Sequence, residues 1–156
     1  MDTRRTLLKS TAGVLILKPE TVFGSQANSA LEIGIVGAGG RGHYIGNFFI
    51  EYTGARVVAI ADPYKARLDS AQAKFKVDGA RLHGGRDGFR TLSNSKLDAV
   101  VIESPPLFHP EQAEAAVAAG KHVYLAKPVA SDVDGCKRIT AARGKGKGKV
   151  RFLVDF

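Results

Sequence analysis

A glycine cluster that follows a short apolar run constrains this chain more than any other feature. Residues 31–36 form the apolar run, and Gly37, Gly39 and Gly42 then fill a G-x-G-x-x-G frame at the start of an amphipathic segment. This order predicts a strand, a tight turn and a helix. In such a unit the first glycine allows the turn, the second lets the backbone approach a pyrophosphate, and the third lets the helix pack close to the strand.

The start of the predicted helix is the expected place for the phosphates. Backbone N–H groups are free at a helix start, and the helix dipole favours a negative charge there. Gly40 and Arg41 occupy this point, so we include them with the three frame glycines in a predicted dinucleotide site. An ordinary glycine-rich turn is the alternative, because the frame alone is a weak signal.

Strand-like and helix-like segments alternate along the rest of the chain. The predicted strands after the first cover residues 56–61, 80–83, 97–102, 121–125 and 150–156. The predicted helices between them cover residues 63–76, 87–92, 110–120 and 131–143, with a loop at 144–149. The alternation predicts an α/β fold, a doubly wound parallel sheet with helices on both faces. Ligands of such sheets bind beyond the carboxyl ends of the strands.

An acidic residue ends the second predicted strand. Asp62 lies 20 residues beyond Gly42 and precedes Pro63. A carboxylate at this position can accept hydrogen bonds from the adenosine ribose of a dinucleotide. The alternative is an Asp-Pro turn that caps the next helix. Lys65 and Arg67 follow and could instead hold the 2′-phosphate of NADP, so the sequence favours NAD and keeps NADP open.

Composition limits the classes of partner. The 156 residues carry a formal net charge of +8 and 44% hydrophobic residues, which suits one domain with a core and an anionic cofactor. The aromatic residues do not interleave with the basic ones, and we predict no nucleic-acid partner. No stretch is apolar and long enough for a membrane span, and we identify no metal-binding residues. The lone Cys136 excludes an internal disulfide and is predicted to pack within a helix.

Residues 1–30 differ from the rest and are predicted to lie outside the fold. Arg4 and Arg5 precede two leucines and a lysine, residues 12–17 are apolar, and residues 25–27 offer a cleavage site. This segment resembles a bacterial twin-arginine signal, which implies export of the folded protein to the periplasm. A retained signal, or a basic tail on a cytoplasmic protein, is the alternative.

Motifs at two further strand ends complete a resemblance. Residues 104–109 read Ser-Pro-Pro-x-x-His, and residues 120–128 read Gly-Lys-His-Val-Tyr-Leu-Ala-Lys-Pro. Together with the glycine frame and the Ala-Asp-Pro at 61–63, they make residues 31–156 resemble the amino-terminal domain of the glucose–fructose oxidoreductase / inositol dehydrogenase / rhizopine-catabolism (Gfo/Idh/MocA) family. The resemblance implies a Rossmann domain that binds NAD or NADP, and hydride transfer involving a sugar, polyol or related alcohol.

The resemblance also implies site residues at these strand ends. It implies cofactor contacts for Ser104, Pro105, His109, Lys127 and Pro128. Lys127 is in addition the predicted catalytic residue, because a positive charge beside the nicotinamide can polarise a substrate oxygen. The alternatives are an ordinary Lys-Pro surface turn, and a helix-capping role for His109.

The sequence departs from the family at several points. Ala126 stands where the family usually has Glu, and Pro106 where it often has Asn or Asp. The family's second domain, which supplies substrate contacts, is expected to be missing, so this chain should bind a dinucleotide and be inactive alone. A full-length form is compatible with a homo-oligomer. The alternatives are an exported NAD-dependent glycosidase of the same family and a non-catalytic nucleotide-binding fragment.

Overall fold

The computed structural model describes residues 30–146 and 148–155, so the predicted export signal at residues 4–27 lies outside the described part. Six strands form one sheet: β1 (Glu32–Val36), β2 (Arg56–Asp62), β3 (Leu82–Gly84), β4 (Ala99–Ile102), β5 (His122–Leu125) and β6 (Phe152–Val154). All neighbouring strands are parallel, and their order across the sheet is β3-β2-β1-β4-β5-β6. The chain therefore winds from β1 to one side and then to the other, as the alternation predicted.

Helices cover both faces of the sheet. They are α1 (Gly40–Thr53), α2 (Lys65–Phe75), α3 (Gly88–Asn94), α4 (His109–Ala118) and α5 (Val133–Lys145). Ile45 of α1 and Leu68 of α2 belong to one buried cluster, while Leu92 of α3, Val117 of α4 and Ile139 of α5 belong to the other. The predicted doubly wound Rossmann sheet is thus confirmed. Across residues 30–146 and 148–155, none of the helices has the length and apolarity that a bilayer crossing requires.

Strand β4 forms the centre of the core. Val100, Val101 and Ile102 are all 0% exposed, because helices cover both faces of this strand. Burying a side chain of this size contributes roughly 1.5–3 kcal/mol to stability. The strand is therefore a fixed base for the residues that follow it, which belong to the candidate site.

The sequence prediction was wrong about several element boundaries. The third strand covers Leu82–Gly84 rather than residues 80–83, because Asp78 starts a 3-10 turn by accepting a hydrogen bond from the Ala80 N–H (2.9 Å). The last helix continues to Lys145, beyond residue 143. The last strand is shorter than predicted and covers Phe152–Val154.

Asp132 and Asp87 act differently at the starts of α5 and α3, and Cys136 differs from its prediction. Asp132 Oδ1 accepts a 2.6 Å hydrogen bond from the Gly135 N–H and starts α5. Asp87 precedes α3, but within the described residues its side chain contacts Arg90 Nε (3.4 Å) instead of capping the helix. Cys136 is exposed on α5, so the prediction that it packs inside was wrong.

Candidate functional site

The residues that follow the strands form a continuous row at the carboxyl edge of the sheet. Four of them each donate their N–H to a carbonyl of the neighbouring strand at 2.8–2.9 Å: Gly37, Glu103, Ala126 and Asp155. Asp62 ends β2 on the other side of Gly37. The row therefore holds Asp62 on the β2 side, and Glu103 and Asp155 on the side of β4 to β6.

The glycine turn is closely packed at Gly37 and Gly42 and open at Gly39 and Gly40. Gly37 has φ +92°, and a Cβ there would lie 2.7 Å from the Glu103 carbonyl carbon. A Cβ on Gly42 would lie 2.1 Å from the Gly37 oxygen, so the third frame glycine permits close packing of α1. At Gly39 and Gly40, no atom of the described chain lies within 4 Å of the Cβ position, apart from the immediate neighbours and, for Gly40, the adjacent backbone of α1 itself. The backbone at the start of α1 is therefore open to a ligand.

A cavity of about 600 Å³ lies in front of this turn. The predicted site residues that line it are Gly37, Gly39, Gly40, Arg41, Asp62, Ser104 and Pro105. The strand order reverses at β1, so the cavity lies at the point where open α/β sheets bind their ligands. Its volume is within the usual range of cofactor sites.

The carboxylate of Asp62 holds the glycine turn in place. It is 1% exposed; its Oδ2 accepts a 2.8 Å hydrogen bond from the Ala38 N–H, and its Oδ1 accepts a 2.9 Å hydrogen bond from the Tyr64 N–H. The second bond lies in the turn before α2, whose N-cap residue is Tyr64, so Asp62 does not cap this helix as the Asp-Pro alternative predicted. A carboxylate has about four acceptor positions, and beside these two bonds Asp62 Oδ2 forms an ion pair with Arg67 Nη1 at 3.8 Å. The ribose contact stays a prediction.

The basic residues on the β2 side differ in their contacts and in whether they line the cavity. Lys65 Nζ binds both carboxylate oxygens of Asp69 at 2.6 and 2.8 Å, away from the cavity lining. Arg67 lines the cavity, with its guanidinium carbon 4.8 Å from the centre of the Tyr64 ring. Arg86 lines it as well, which the sequence prediction missed. The sole sequence signal for Arg86 was a Gly-Gly-Arg segment after the third strand.

His109 connects two loops of the edge. The ring is 0% exposed and lies outside the cavity lining. Its Nε2 lies 2.7 Å from the Ser104 oxygen, and its Nδ1 lies 3.1 Å from the Pro128 oxygen and 3.2 Å from the Val129 oxygen. The Ser104 hydroxyl donates to Gln112 Oε1. His109 thus holds the loop after β4 to the loop after β5, and its contact with a nicotinamide stays a prediction.

Lys127 follows β5 at the same edge as the glycine turn, because β1, β4 and β5 are parallel. Its side chain is exposed, and both Lys127 and Pro128 lie outside the cavity lining. Gly42 lies outside the lining too, behind Gly37. The catalytic role of Lys127 stays a prediction.

The sequence prediction missed a cluster of charged groups on the β4 side. Arg41 Nε lies 3.2 Å from Glu103 Oε2, and the same guanidinium contacts the Asp155 carboxylate. The Tyr124 hydroxyl donates to Asp155 Oδ1 at 3.0 Å. Burial raises the pKa of Glu103 to about 7, despite the opposing effect of Arg41. Burial and then the charge of Glu103 raise the pKa of Tyr124.

A family comparison agrees with this geometry. The model of the GFO_IDH_MocA family, described as an oxidoreductase family with an NAD-binding Rossmann fold, matches residues 31–155. The chain belongs to this family. The resemblance stated from the motifs is thereby confirmed.

Individual relatives of this Gfo/Idh/MocA member are longer. An inositol 2-dehydrogenase of Klebsiella pneumoniae is 35% identical over 128 residues, which are 81% of this chain and 37% of that protein. A glycosyl hydrolase family 109 protein of Solibacter usitatus is 32% identical over 82% of this chain and 29% of its own length. The scyllo-inositol dehydrogenase of Lactobacillus casei, crystallised with NAD(H) and scyllo-inositol, is 29% identical with a TM-score of 0.69, over 80% of this chain and 36% of that one.

The residues of this Gfo/Idh/MocA domain fit a bound dinucleotide. The open backbone at Gly39 and Gly40 leaves room for a diphosphate at the start of α1. Asp62, which forms an ion pair with Arg67 (3.8 Å), has acceptor capacity beyond its two backbone hydrogen bonds on the β2 side. A Rossmann sheet binds one mononucleotide half on each side of β1, and the cavity extends to both sides, from Arg86 to Gln112.

Proposed function

We propose that this chain is the NAD-binding part of an oxidoreductase that acts on an alcohol carbon of an inositol-like polyol or a related sugar. The observation that carries the proposal is the cavity at the centre of the sheet edge, lined by the glycine turn, Asp62 and Ser104. The relatives named as inositol dehydrogenases support the class of substrate. The chain spans about 37% of the length of the first of them, so the activity is proposed for a longer protein.

Each part of the proposed cofactor has its own set of partners. The N–H groups of Gly39 and Gly40 bind the diphosphate, assisted by the dipole of α1. Asp62 accepts hydrogen bonds from the adenosine ribose hydroxyls. Its negative charge would repel a 2′-phosphate, so NAD is preferred, although Arg67 and Arg86 on the cavity wall would attract that phosphate. When bound, NAD supplies the hydride acceptor.

Lys127 is the proposed catalytic residue. It lies on the side of β4 to β6, which is left for the nicotinamide half once Asp62 takes the adenosine half. As the neutral amine, its exposed side chain would accept the proton that leaves the substrate oxygen during oxidation, and the resulting ammonium group would polarise this oxygen in the reverse reaction. Pro128 restricts the backbone that carries it.

We further propose that the twin arginines direct the folded protein to the periplasm, which cell fractionation of an Arg4→Lys, Arg5→Lys variant would test.

Binding to the chain tests the first part of the proposal. Calorimetric titration should show that NAD⁺ and NADH bind, and bind more tightly than NADP⁺ and NADPH. Asp62→Asn should weaken binding of NAD⁺ relative to NADP⁺, because the charge that repels the 2′-phosphate is removed. A folded chain that binds none of the four dinucleotides would contradict the proposal.

Turnover tests the second part and requires the full-length protein. Purified protein incubated with inositols and NAD⁺ should produce NADH. Lys127→Ala should lower kcat by about 100-fold or more, as the loss of an acid–base group does, while the Kd of NAD⁺ stays within about threefold. Cleavage of glycosides without net production of NADH would instead favour the glycosidase alternative.

A further inference from the structure

The carboxylate of Glu103 is buried without the hydrogen bonds that such a group normally has. Its side chain is 0% exposed, and within residues 30–146 and 148–155 neither carboxylate oxygen has a hydrogen-bond partner. Its ion pair with Arg41 (3.2 Å) is the compensating contact. Burying a carboxylate in this way costs stability, and a residue of this kind in a ligand cavity indicates a function.

Three groups face Glu103 from the elements packed against it. They are Arg41 from α1, Tyr124 from β5 and Asp155 after β6. Arg41 contacts both carboxylates, so the cluster has one positive and two negative charges when Glu103 is ionised. When Glu103 is protonated, the positive and negative charges balance. The protonation of one residue thus changes the cluster between a net negative charge and none.

Among the described residues, Arg41 is the charged group that acts on the pKa of Glu103. Lys127 is exposed after β5, and Glu111 on α4 is partly exposed beside Arg90 (3.7 Å), so solvent screens both. Asp62 is buried, but it lies across the glycine turn on the β2 side. The charge that changes beside the β4 end is therefore that of Glu103.

Glu103 belongs to the half of the site that faces the redox-active ring, if the proposed function holds. The adenosine half belongs with Asp62 on the β2 side, so the nicotinamide half belongs at the ends of β4 and β5. Glu103 is the residue directly after β4, and its backbone forms part of the cavity wall against Gly37. An oxidised nicotinamide ring carries a positive charge, and a reduced ring is neutral.

We propose that Glu103, held by Arg41, sets the preference of this site between oxidised and reduced cofactor, and that the preference changes with the protonation of Glu103. The ionised carboxylate attracts the nicotinamide cation and strengthens binding of NAD⁺ relative to NADH. The protonated carboxyl exerts no such attraction. Glu103 acts through space on the bound ring, and is a specificity residue rather than a catalytic one.

The direction and size of the effect follow from the charges. Burial raises the pKa of Glu103 to about 7, so the change occurs near neutral pH. As the pH rises through this value, the ratio of the Kd of NADH to the Kd of NAD⁺ should increase. Partial neutralisation by Arg41 and screening by solvent limit the increase to about three- to tenfold. By linkage, binding of NAD⁺ near neutral pH releases part of a proton, and binding of NADH does not.

Calorimetry of the full chain tests the proposal. The Kd of each cofactor is measured between about pH 5.5 and 8.5, in buffers with different ionisation enthalpies so that released protons are counted. Glu103→Gln should bind both cofactors, and the ratio of their Kd values should no longer change with pH. Glu51→Gln is the matched control: it removes the same charge from an exposed position on α1 and should keep the wild-type dependence.

The outcomes separate this inference from the proposed function. The inference is overturned, and the proposed function stands, if both cofactors bind but the ratio of the Kd of NADH to the Kd of NAD⁺ is independent of pH. The same holds if this ratio changes equally in wild type and Glu103→Gln. If neither binds, both are overturned. Should Glu103→Gln fail to fold, proton release by the wild type decides: release with NAD⁺ alone supports the inference, and equal release with both cofactors overturns it.

Discussion

Replacing Asp62 with alanine tests whether this carboxylate holds the glycine turn before any cofactor binds. The change removes the acceptor of the Ala38 N–H (2.8 Å) and of the Tyr64 N–H (2.9 Å). Hydrogen bonds to charged groups contribute about 1.5–3 kcal/mol each when their partners are buried. Ala38 is 2% exposed, so we assign about 2 kcal/mol to its hydrogen bond with Asp62. Tyr64 is 61% exposed, so we assign about 1 kcal/mol to its hydrogen bond. The expected loss in the free energy of unfolding is therefore about 3 kcal/mol.

Urea unfolding of the cofactor-free chain, followed by circular dichroism, measures this loss. Asp69→Ala is the matched control, because it removes the same charge from an exposed pair with Lys65 (2.6 Å). A surface pair of this kind contributes about 0.5 kcal/mol or less. If Asp62→Ala without cofactor is within about 0.5 kcal/mol of wild type, the turn does not depend on this carboxylate and the reasoning is refuted.

Two further predictions concern the glycine turn and Glu103. Gly42→Ala places a methyl group 2.1 Å from the Gly37 oxygen and should lower the Tm and abolish NAD binding, whereas Gly39→Ala should keep the Tm and weaken binding, because its methyl enters open space. Thermal melting with and without NAD distinguishes them, and a Gly42→Ala variant as stable as wild type would contradict the packing. The pKa of Glu103 is about 7 in the fold, against a reference value of 4.5 for the unfolded chain. Between these values the folded state retains a proton that the unfolded chain has lost. The stability should therefore fall as the pH rises from the lower value to the higher one. Glu103→Gln should flatten this part of the pH profile in urea unfolding, and an unchanged slope would count against the burial of the carboxylate.

The parts of the fold that local sequence specifies were predictable. Residues 99–102 form a continuous apolar run, which is typical of a strand covered on both faces, and this strand is β4 at the centre. Gly37 has φ +92° and Gly42 packs on the Gly37 oxygen, and both requirements belong to the local turn, whereas the contact of Gly37 with Glu103 depends on a distant segment. Alternation of strands and helices predicted the parallel sheet with helices on both faces, because crossovers are right-handed, but the order of the strands across the sheet was not predicted.

The parts that depend on contacts between distant segments were not predictable. Asp62 was recognised as a strand-end acid, but its bond to Ala38 spans 24 residues and depends on how β1 and β2 pair. The cluster of Arg41, Glu103 and Asp155 brings together three segments, and it exists because β4, β5 and β6 end level with one another. An acid directly after a buried apolar strand was the available signal for Glu103. Asp155 follows the apolar strand β6 in the same way, but the prediction extended the last strand to residue 156 and so placed Asp155 inside it.

Both margins of the sheet consist of three-residue strands, Leu82–Gly84 and Phe152–Val154. The outer side of a marginal strand presents unpaired N–H and C=O groups, on which a strand from another molecule can add. Three residues offer a short template for such addition, and the longer strands β1 and β2 lie inside the sheet with both neighbours in place. Intermolecular strand pairing, the first step towards fibrous aggregates, therefore has little backbone to begin on in the described part of the chain.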